Sequence, residues 1–296
     1  MMSRKGLSHF HLNAGSSVRT RRGAFTLIEV LISLAILSLL MALLIPAMSR
    51  ARESARLAGC LSNLHQIMIA TLSYTDENND QFPFPKPNSL DYLDNYGFGG
   101  RYTTSNKKIL ASIQLPQNRP LNRFLYPQQF ARNTHYSRRE LGDPNKFNIP
   151  LFECPSDDSF NYTERSRDQK PIPAYTQSAY FTTGSSYAFN ASWMGTTQLF
   201  RYSDIADWYS WNQGMKMFSR AKSAYPSRFV AYLDEPANFL SAFRVRPEIP
   251  HHTESDAYSL AFLDAHAALV TIKKNNPFNP KHTMLFPEQA NGSEVP

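Results

Sequence analysis

The chain has 296 residues, enough for an anchor and one or two globular domains. Its formal charge of +7 invites a nucleic-acid reading, but Arg4, Lys5, Arg19, Arg21 and Arg22 all lie in the acid-free residues 1–24; 31 basic residues less these leave 26 against 24 acidic, a net of +2. The body is therefore near neutral, which removes the electrostatic case for a nucleic-acid partner, and none is expected.

In chain order, the first strong signal is Phe25-Thr26-Leu27-Ile28-Glu29 followed by an apolar run to Met48. From Val30 to Met48 there is no charge, and Ser33 and Ser38 are the polar residues. These residues give roughly 28 Å of helix, close to the hydrocarbon thickness of a bilayer. A carboxylate at that boundary, Glu29, costs several kcal/mol unless it is paired. The basic residues ahead of the span favour a cytoplasmic N-terminus, against competition from Arg50, Arg52 and Arg56 after it. Beyond the span, Cys60, Leu61, Leu64, Ile67, Met68 and Leu72 recur at helical spacing. One helix is predicted from about Thr26 to Tyr74, with a bend at Pro46 through its missing amide. Asp76-Glu77-Asn78-Asn79-Asp80 ends it.

Residues 83–150 are rich in Pro, Asn, Gly and Tyr and predict irregular structure with short helices. Strands are predicted at Leu151–Asp158 (running into a turn), Ser178–Asn190, Arg228–Asp234, Tyr258–Leu263 and Ala267–Ile272, the last two joined by a hairpin turn at Asp264-Ala265-His266. The tail from Asn275 predicts loose order. The expected fold is α+β: a long N-terminal helix, membrane-spanning in its first half, packed on a mainly antiparallel β head with irregular loops. The expected divisions are a leader at 1–24, a transmembrane or filament-core helix at 25–48, an amphipathic extension at 49–76, a head at 77–274 and a tail at 275–296.

Gly23-Ala24-Phe25-Thr26-Leu27-Ile28-Glu29 resembles the processing site of type IV pilins and of the pseudopilins of type II secretion. The resemblance implies cleavage by a prepilin peptidase and methylation of the new N-terminus. A cut after Ala24 makes Phe25 the mature, methylated start and Glu29 the family's fifth residue; a cut after Gly23 follows the family's usual glycine but makes Glu29 sixth. The first is favoured. Pro46 sits where such helices carry a loosening proline. The head also carries a resemblance, through Cys60-Leu61-Ser62-Asn63-Leu64-His65-Gln66-Ile67, Cys154-Pro155-Ser156-Asp157, Ser186-Tyr187-Ala188-Phe189-Asn190 and His252 with Phe262-Leu263-Asp264-Ala265-His266. Together these look like a large pseudopilin-like family abundant in planctomycete-type bacteria, whose signature is His, nine residues, then Asp-Gly. Here eleven residues separate His252 from Asp264, and Ala265 replaces the glycine.

The resemblance implies a single-pass protein of the inner membrane, N-terminus cytoplasmic and head periplasmic. Its expected partners are the prepilin peptidase, membrane lipid, copies of itself or other pseudopilins in a filament, and secretion-system assembly components. Phe25, Thr26 and Glu29 would make the assembly contact, with Glu29 paired to the N-terminal amine of Phe25 in a neighbouring subunit. The alternative is a membrane-tethered binding protein that is processed but does not polymerise. Cys60 and Cys154 fall in the exported part, where either a disulfide or two thiols is open. His251, His252, Asp264 and His266, with Asp234 or Glu235, have metal-ligand chemistry but no helical ligand spacing; Asp76, Glu77, Asn78 and Asp80 lack the EF-hand pattern. No metal, cofactor or enzymatic activity is expected: nucleophile-elbow, phosphate-loop, His-Glu-x-x-His and Cys-x-x-Cys motifs are absent from the sequence.

Overall fold

The computed structural model describes residues 26–83, 96–101, 115–131, 136–137, 140, 143, 147–158, 178–190, 218–219, 221–243, 251–252, 256–272, 278–279 and 282–284. The chain divides into residues 1–49 and 50–296.

Helix α1 runs Leu27–Glu77. A capping box starts it: Glu29 Oε2 accepts from the Thr26 amide at 2.8 Å and from Thr26 Oγ1 at 2.9 Å, and the Glu29 amide donates to Thr26 Oγ1 at 3.4 Å. Within Leu27–Ser49 every side chain is exposed. Both hydroxyls turn back on the backbone, Ser33 Oγ donating to the Glu29 carbonyl at 2.7 Å and Ser38 Oγ to the Ala35 carbonyl at 2.9 Å. Each hydroxyl proton is thus used inside the helix, as an apolar medium demands. Pro46 lies inside α1, which continues through it; the residue removes the amide that would bond the Ala42 carbonyl.

From Arg50 the helix becomes one-sided. Cys60, Leu64, Ile67, Met68, Ala70, Thr71 and Thr75 are buried, the spacing of one helical face. The helix stops where Asn79 and Asp80 take φ of 54° and 55°, the left-handed conformation Asn and Asp tolerate best. Lys222 Nζ meets Asp76 Oδ1 at 3.0 Å and Asp80 Oδ1 at 3.9 Å, so the oxygen-rich loop after α1 faces an ammonium.

The head is a four-stranded antiparallel sheet in the order β1 (Tyr187–Phe189), β2 (Val230–Asp234), β3 (Ala257–Phe262), β4 (Ala267–Thr271). It has a core on each face. The larger joins Cys60, Leu64, Ile67 and Met68 of α1 to an aromatic set including Phe82, Phe98, Phe152, Phe189, Phe218 and Tyr232. The smaller gathers Val230, Leu233, Tyr258, Leu260, Phe262 and Met284 against Ala237 and Leu240 of the helix that follows β2. Covering both faces explains why β2 and β3 are buried at every position instead of alternating. A register shift between Val230 and Tyr232 lets the consecutive Ala231 and Tyr232 both serve the larger core.

Short helical pieces among the described residues include a 3₁₀ turn at Pro116–Asn118, α2 (Pro120–Leu125), a second 3₁₀ turn at Pro150–Phe152, and α3 (Ala179–Thr183). Helix α4 spans Glu235–Phe243. The irregular backbone here is satisfied by side chains. Buried Arg119 donates to the carbonyls of Tyr96 and Gly99, each at 2.6 Å, and of Thr183 at 3.1 Å.

Three expectations need correction. Leu151–Asp158 opens as the end of a 3₁₀ turn and not as a strand, because Pro150 at its first position presets φ and has no amide for a ladder. Ser178–Asn190 is not one strand: Ser178 Oγ caps α3 by accepting from the Phe181 amide, Gly184 ends it at φ 97°, and β1 follows. The tail is not loose throughout. β5 (Phe278–Asn279) pairs with β6 (His282–Thr283), the Thr283 amide donates to the Arg228 carbonyl at 2.8 Å, and Met284 is buried in the smaller core.

The β3–β4 hairpin turns through Leu263, Asp264 and Ala265. The Ala265 amide donates to the Phe262 carbonyl at 2.9 Å and the Phe262 amide to the His266 carbonyl at 3.0 Å. Ala265 takes φ 71°, the left-handed position that such loops reserve for glycine. Left-handed backbone costs an L-residue roughly 1–2 kcal/mol, partly offset by glycine's greater freedom when unfolded. Ala265→Gly is therefore expected to raise stability by about 0.5–1 kcal/mol, read as a higher urea midpoint of the detergent-solubilised full chain; a lower midpoint would show that the methyl packs more than it strains.

Candidate functional site

The sequence motifs of the head meet where residues 50–77 of α1 lie on the sheet. Cys60 and Cys154 form a disulfide across 94 residues of sequence. In the chain-entropy view a loop that long is worth up to roughly 4–5 kcal/mol. Hydrogen bonds flank it. Asn63 Nδ2 donates to the carbonyls of Glu153 at 2.8 Å and Pro150 at 3.3 Å, Tyr187 Oη to the Cys60 carbonyl at 3.3 Å, and His65 Nδ1 to the Ala265 carbonyl at 2.6 Å. Deeper in the core, Thr71 Oγ1 and Tyr232 Oη share a bond of 2.8 Å. Burial drives the phenols of Tyr187 and Tyr232 far above their ordinary pKa, so both remain neutral donors.

Consecutive histidines divide the work. His252 turns to α1: its Nδ1 lies 3.2 Å from Glu53 Oε1 and its Nε2 lies 4.0 Å from Cys154 Sγ. His251 turns into the head, where its Nε2 lies 3.3 Å from Asp157 Oδ1 and 3.9 Å from Glu235 Oε2, all three side chains fully buried. Asp157 is held in place by the amides of Ala179 and Tyr180, each at 2.9 Å, and by Ser186 Oγ at 2.5 Å; Ser186 Oγ in turn accepts the Cys154 amide at 2.9 Å. Asp234 caps α4 by accepting from the Ala237 amide at 3.0 Å and also takes the Ser259 amide at 2.7 Å.

The charges follow from this packing. Burial alone would lower His251, but Asp157 first, then Asp234 and Glu235, push its pKa up to about 9. Burial alone would raise Asp157; the facing imidazolium and the bonds from Ser186 and the Tyr180 amide hold it below the usual carboxylate range. Burial does raise Asp234, offset only in part by His251 and the two amides. His251 and Asp157 thus form a buried ion pair at neutral pH, the kind whose loss on one side strands a charge.

The residues with metal-ligand chemistry that were set aside from sequence are split. His251 joins Glu235, and His252 joins Glu53. Asp264 and His266 pair with each other on the hairpin, Oδ1 to Nδ1 at 2.5 Å, with the His266 ring stacked on Phe262. The signature His252, Asp264 and His266 likewise does not converge, because the hairpin reaches α1 at His65, twelve residues or about 18 Å along the axis from Glu53. Asp157 and Glu53 were not singled out from sequence. Asp157 stood in the Cys-Pro-Ser-Asp motif, and Glu53 is the lone acid among Arg50, Arg52 and Arg56. At the other end of α1, Thr26 and Glu29 make the capping box; Gly23, Ala24 and Phe25 lie outside the described residues.

The apolar helix is long enough to cross a membrane and opens on a Thr-x-x-Glu cap, which, with the motif match that follows, is consistent with a type IV pilin-like protein. Residues 19–45 match the prokaryotic N-terminal methylation motif. Residues 49–234, well over half of the chain, match the family described as "Protein of unknown function (DUF1559)", and the protein belongs to that family. No curated protein and no solved structure matches the chain.

A pH profile tests the buried pair. The stability that His251 contributes is whole below its ordinary value of 6.5 and is lost as pH rises through about 9. Asp157 works in the opposite sense, its contribution disappearing as pH falls below the usual carboxylate range. The urea midpoint of the full chain should fall from pH 7 to pH 10, and this slope should be missing in His251→Gln. Equal slopes in both proteins would place the titrating charge elsewhere.

Proposed function

We propose that this protein is a filament subunit: a prepilin peptidase trims it to Phe25 and methylates that residue, and its N-terminal helix then leaves the lipid to pack among like helices. One observation carries the reading. The residues of Leu27–Ser49 are all exposed and almost all apolar, and the methylation motif, residues 19–45, covers most of that stretch. Repetition of one heterologous contact would give an open helical polymer of this chain or of related pseudopilins. Glu29 sets register by pairing with the amine of a neighbouring Phe25, at the inner-membrane end of a single-pass, N-in topology. The head performs no catalysis in this reading. Its disulfide and polar bonds support a role in holding the head to α1.

Two measurements test it. Intact mass and N-terminal sequence of membrane-extracted protein should show a methylated Phe25 start that is lost in a host lacking the peptidase; an uncut chain would leave a plain signal anchor whose function resides in the head. Glu29→Gln keeps the capping-box chemistry but not the charge, whereas Glu29→Ala loses both and about 0.5–2 kcal/mol of local helix stability. Both should insert normally and fail to cross-link along the helix. Normal assembly of the Gln variant would rule out charge pairing.

A further inference from the structure

We propose that the fastening between α1 and the head has a second chemical state, in which reduced Cys60 and Cys154 together with His252 hold a zinc-like divalent ion. The candidate ligand atoms of these three buried side chains all lie within 4.8 Å of one another. Two thiolates and an imidazole are the donor set that suits a borderline-soft ion. Zn–S near 2.3 Å and Zn–N near 2.0 Å put sulfur and nitrogen roughly 3.5 Å apart in a tetrahedral site. Cys154 Sγ and His252 Nε2 stand at 4.0 Å, a shift of about half an ångström away. The Cα atoms of Cys60 and Cys154 are 4.9 Å apart, so once the S–S bond opens, side-chain rotation can separate the sulfurs to the roughly 3.8 Å that two bonds to one tetrahedral ion require.

Glu53 completes the arrangement. Its Oε1 lies 3.2 Å from His252 Nδ1, on the side of the ring away from the sulfurs. A carboxylate there keeps the proton on Nδ1 and leaves the Nε2 lone pair for the ion, the outer-shell arrangement common to histidine-bound metals. Protein ligands would fill three positions and leave the fourth for water.

The steps balance as follows. A dithiol reductant gives two electrons and two protons to the Cys60–Cys154 bond, which breaks to two thiols while the reductant closes to its own disulfide. The divalent ion then displaces both thiol protons to solvent and takes the neutral Nε2 of His252. Oxidised and metal-bound states exclude each other, since both use the same two sulfurs. This inference does not depend on polymerisation.

Cobalt(II) is the probe, added to detergent-solubilised full chain that has been reduced with a dithiol and desalted anaerobically. The expected result is one cobalt per chain with thiolate-to-cobalt charge-transfer absorption, displaced by zinc, and no such band from oxidised protein. His252→Ala should weaken cobalt binding at least tenfold, and Glu53→Gln by about tenfold. Zinc should also slow reoxidation of the thiols in the wild type and not in His252→Ala. Reduced wild type without the band, or a His252→Ala variant that binds cobalt as tightly as wild type, would overturn the proposal. The second outcome covers a chain that unfolds on reduction, because binding by loose thiols would not need His252.

Discussion

The covalent tie between Cys60 and Cys154 is the constraint around which the head is arranged. A helix that is apolar on all sides from Leu27 to Ser49 has no internal reason to stay attached to a polar domain, so attachment falls to the residues that follow. The disulfide fixes one point, and Asn63, His65, Thr71 and Lys222 fix others further along α1. Each hydrogen bond is worth only about 1 kcal/mol net, but several spaced along one rigid rod oppose rotation and sliding together.

Behind that tie lies a buried electrostatic arrangement. His251 and Asp157 are charged and fully buried, and Ser186 links Asp157 to the Cys154 amide. The backbone that carries the disulfide is therefore positioned by a buried ion pair one layer further in. Such a pair adds little net stability compared with apolar packing, but it admits few alternative placements of the residues it joins.

The periodic parts of this fold were legible in the sequence. The stripe from Cys60 to Leu72 announced the buried face of α1, and two apolar runs about Asp264-Ala265-His266 announced the hairpin. Helix α4 was legible too, but unread: Asp234-Glu235-Pro236 has the cap and the early proline of a helix start. What the sequence could not display was pairing between residues far apart. Glu53 and His252, or Asp157 and His251, have no periodic relation, and only the chain's path through the sheet brings them together. The β-branched and aromatic content around Ser178 suggested a strand, yet a serine cap and a left-handed glycine six residues on divided it into helix and strand. The hairpin turn at Asp264-Ala265-His266 was legible, and the backbone keeps the left-handed conformation at Ala265 although alanine stands there in place of glycine.

The Thr26–Glu29 capping box changes what Glu29 would have to do in the proposed filament. In the lone chain Glu29 Oε2 already accepts two hydrogen bonds. Its cost at the edge of an apolar medium is thereby lowered before any neighbour arrives. In the filament proposed above, joining a neighbour would be an exchange of partners, and the free energy available would be the difference between an amine and an amide with a hydroxyl. In the proposed filament the grip would then come chiefly from the apolar surface that follows and less from this residue.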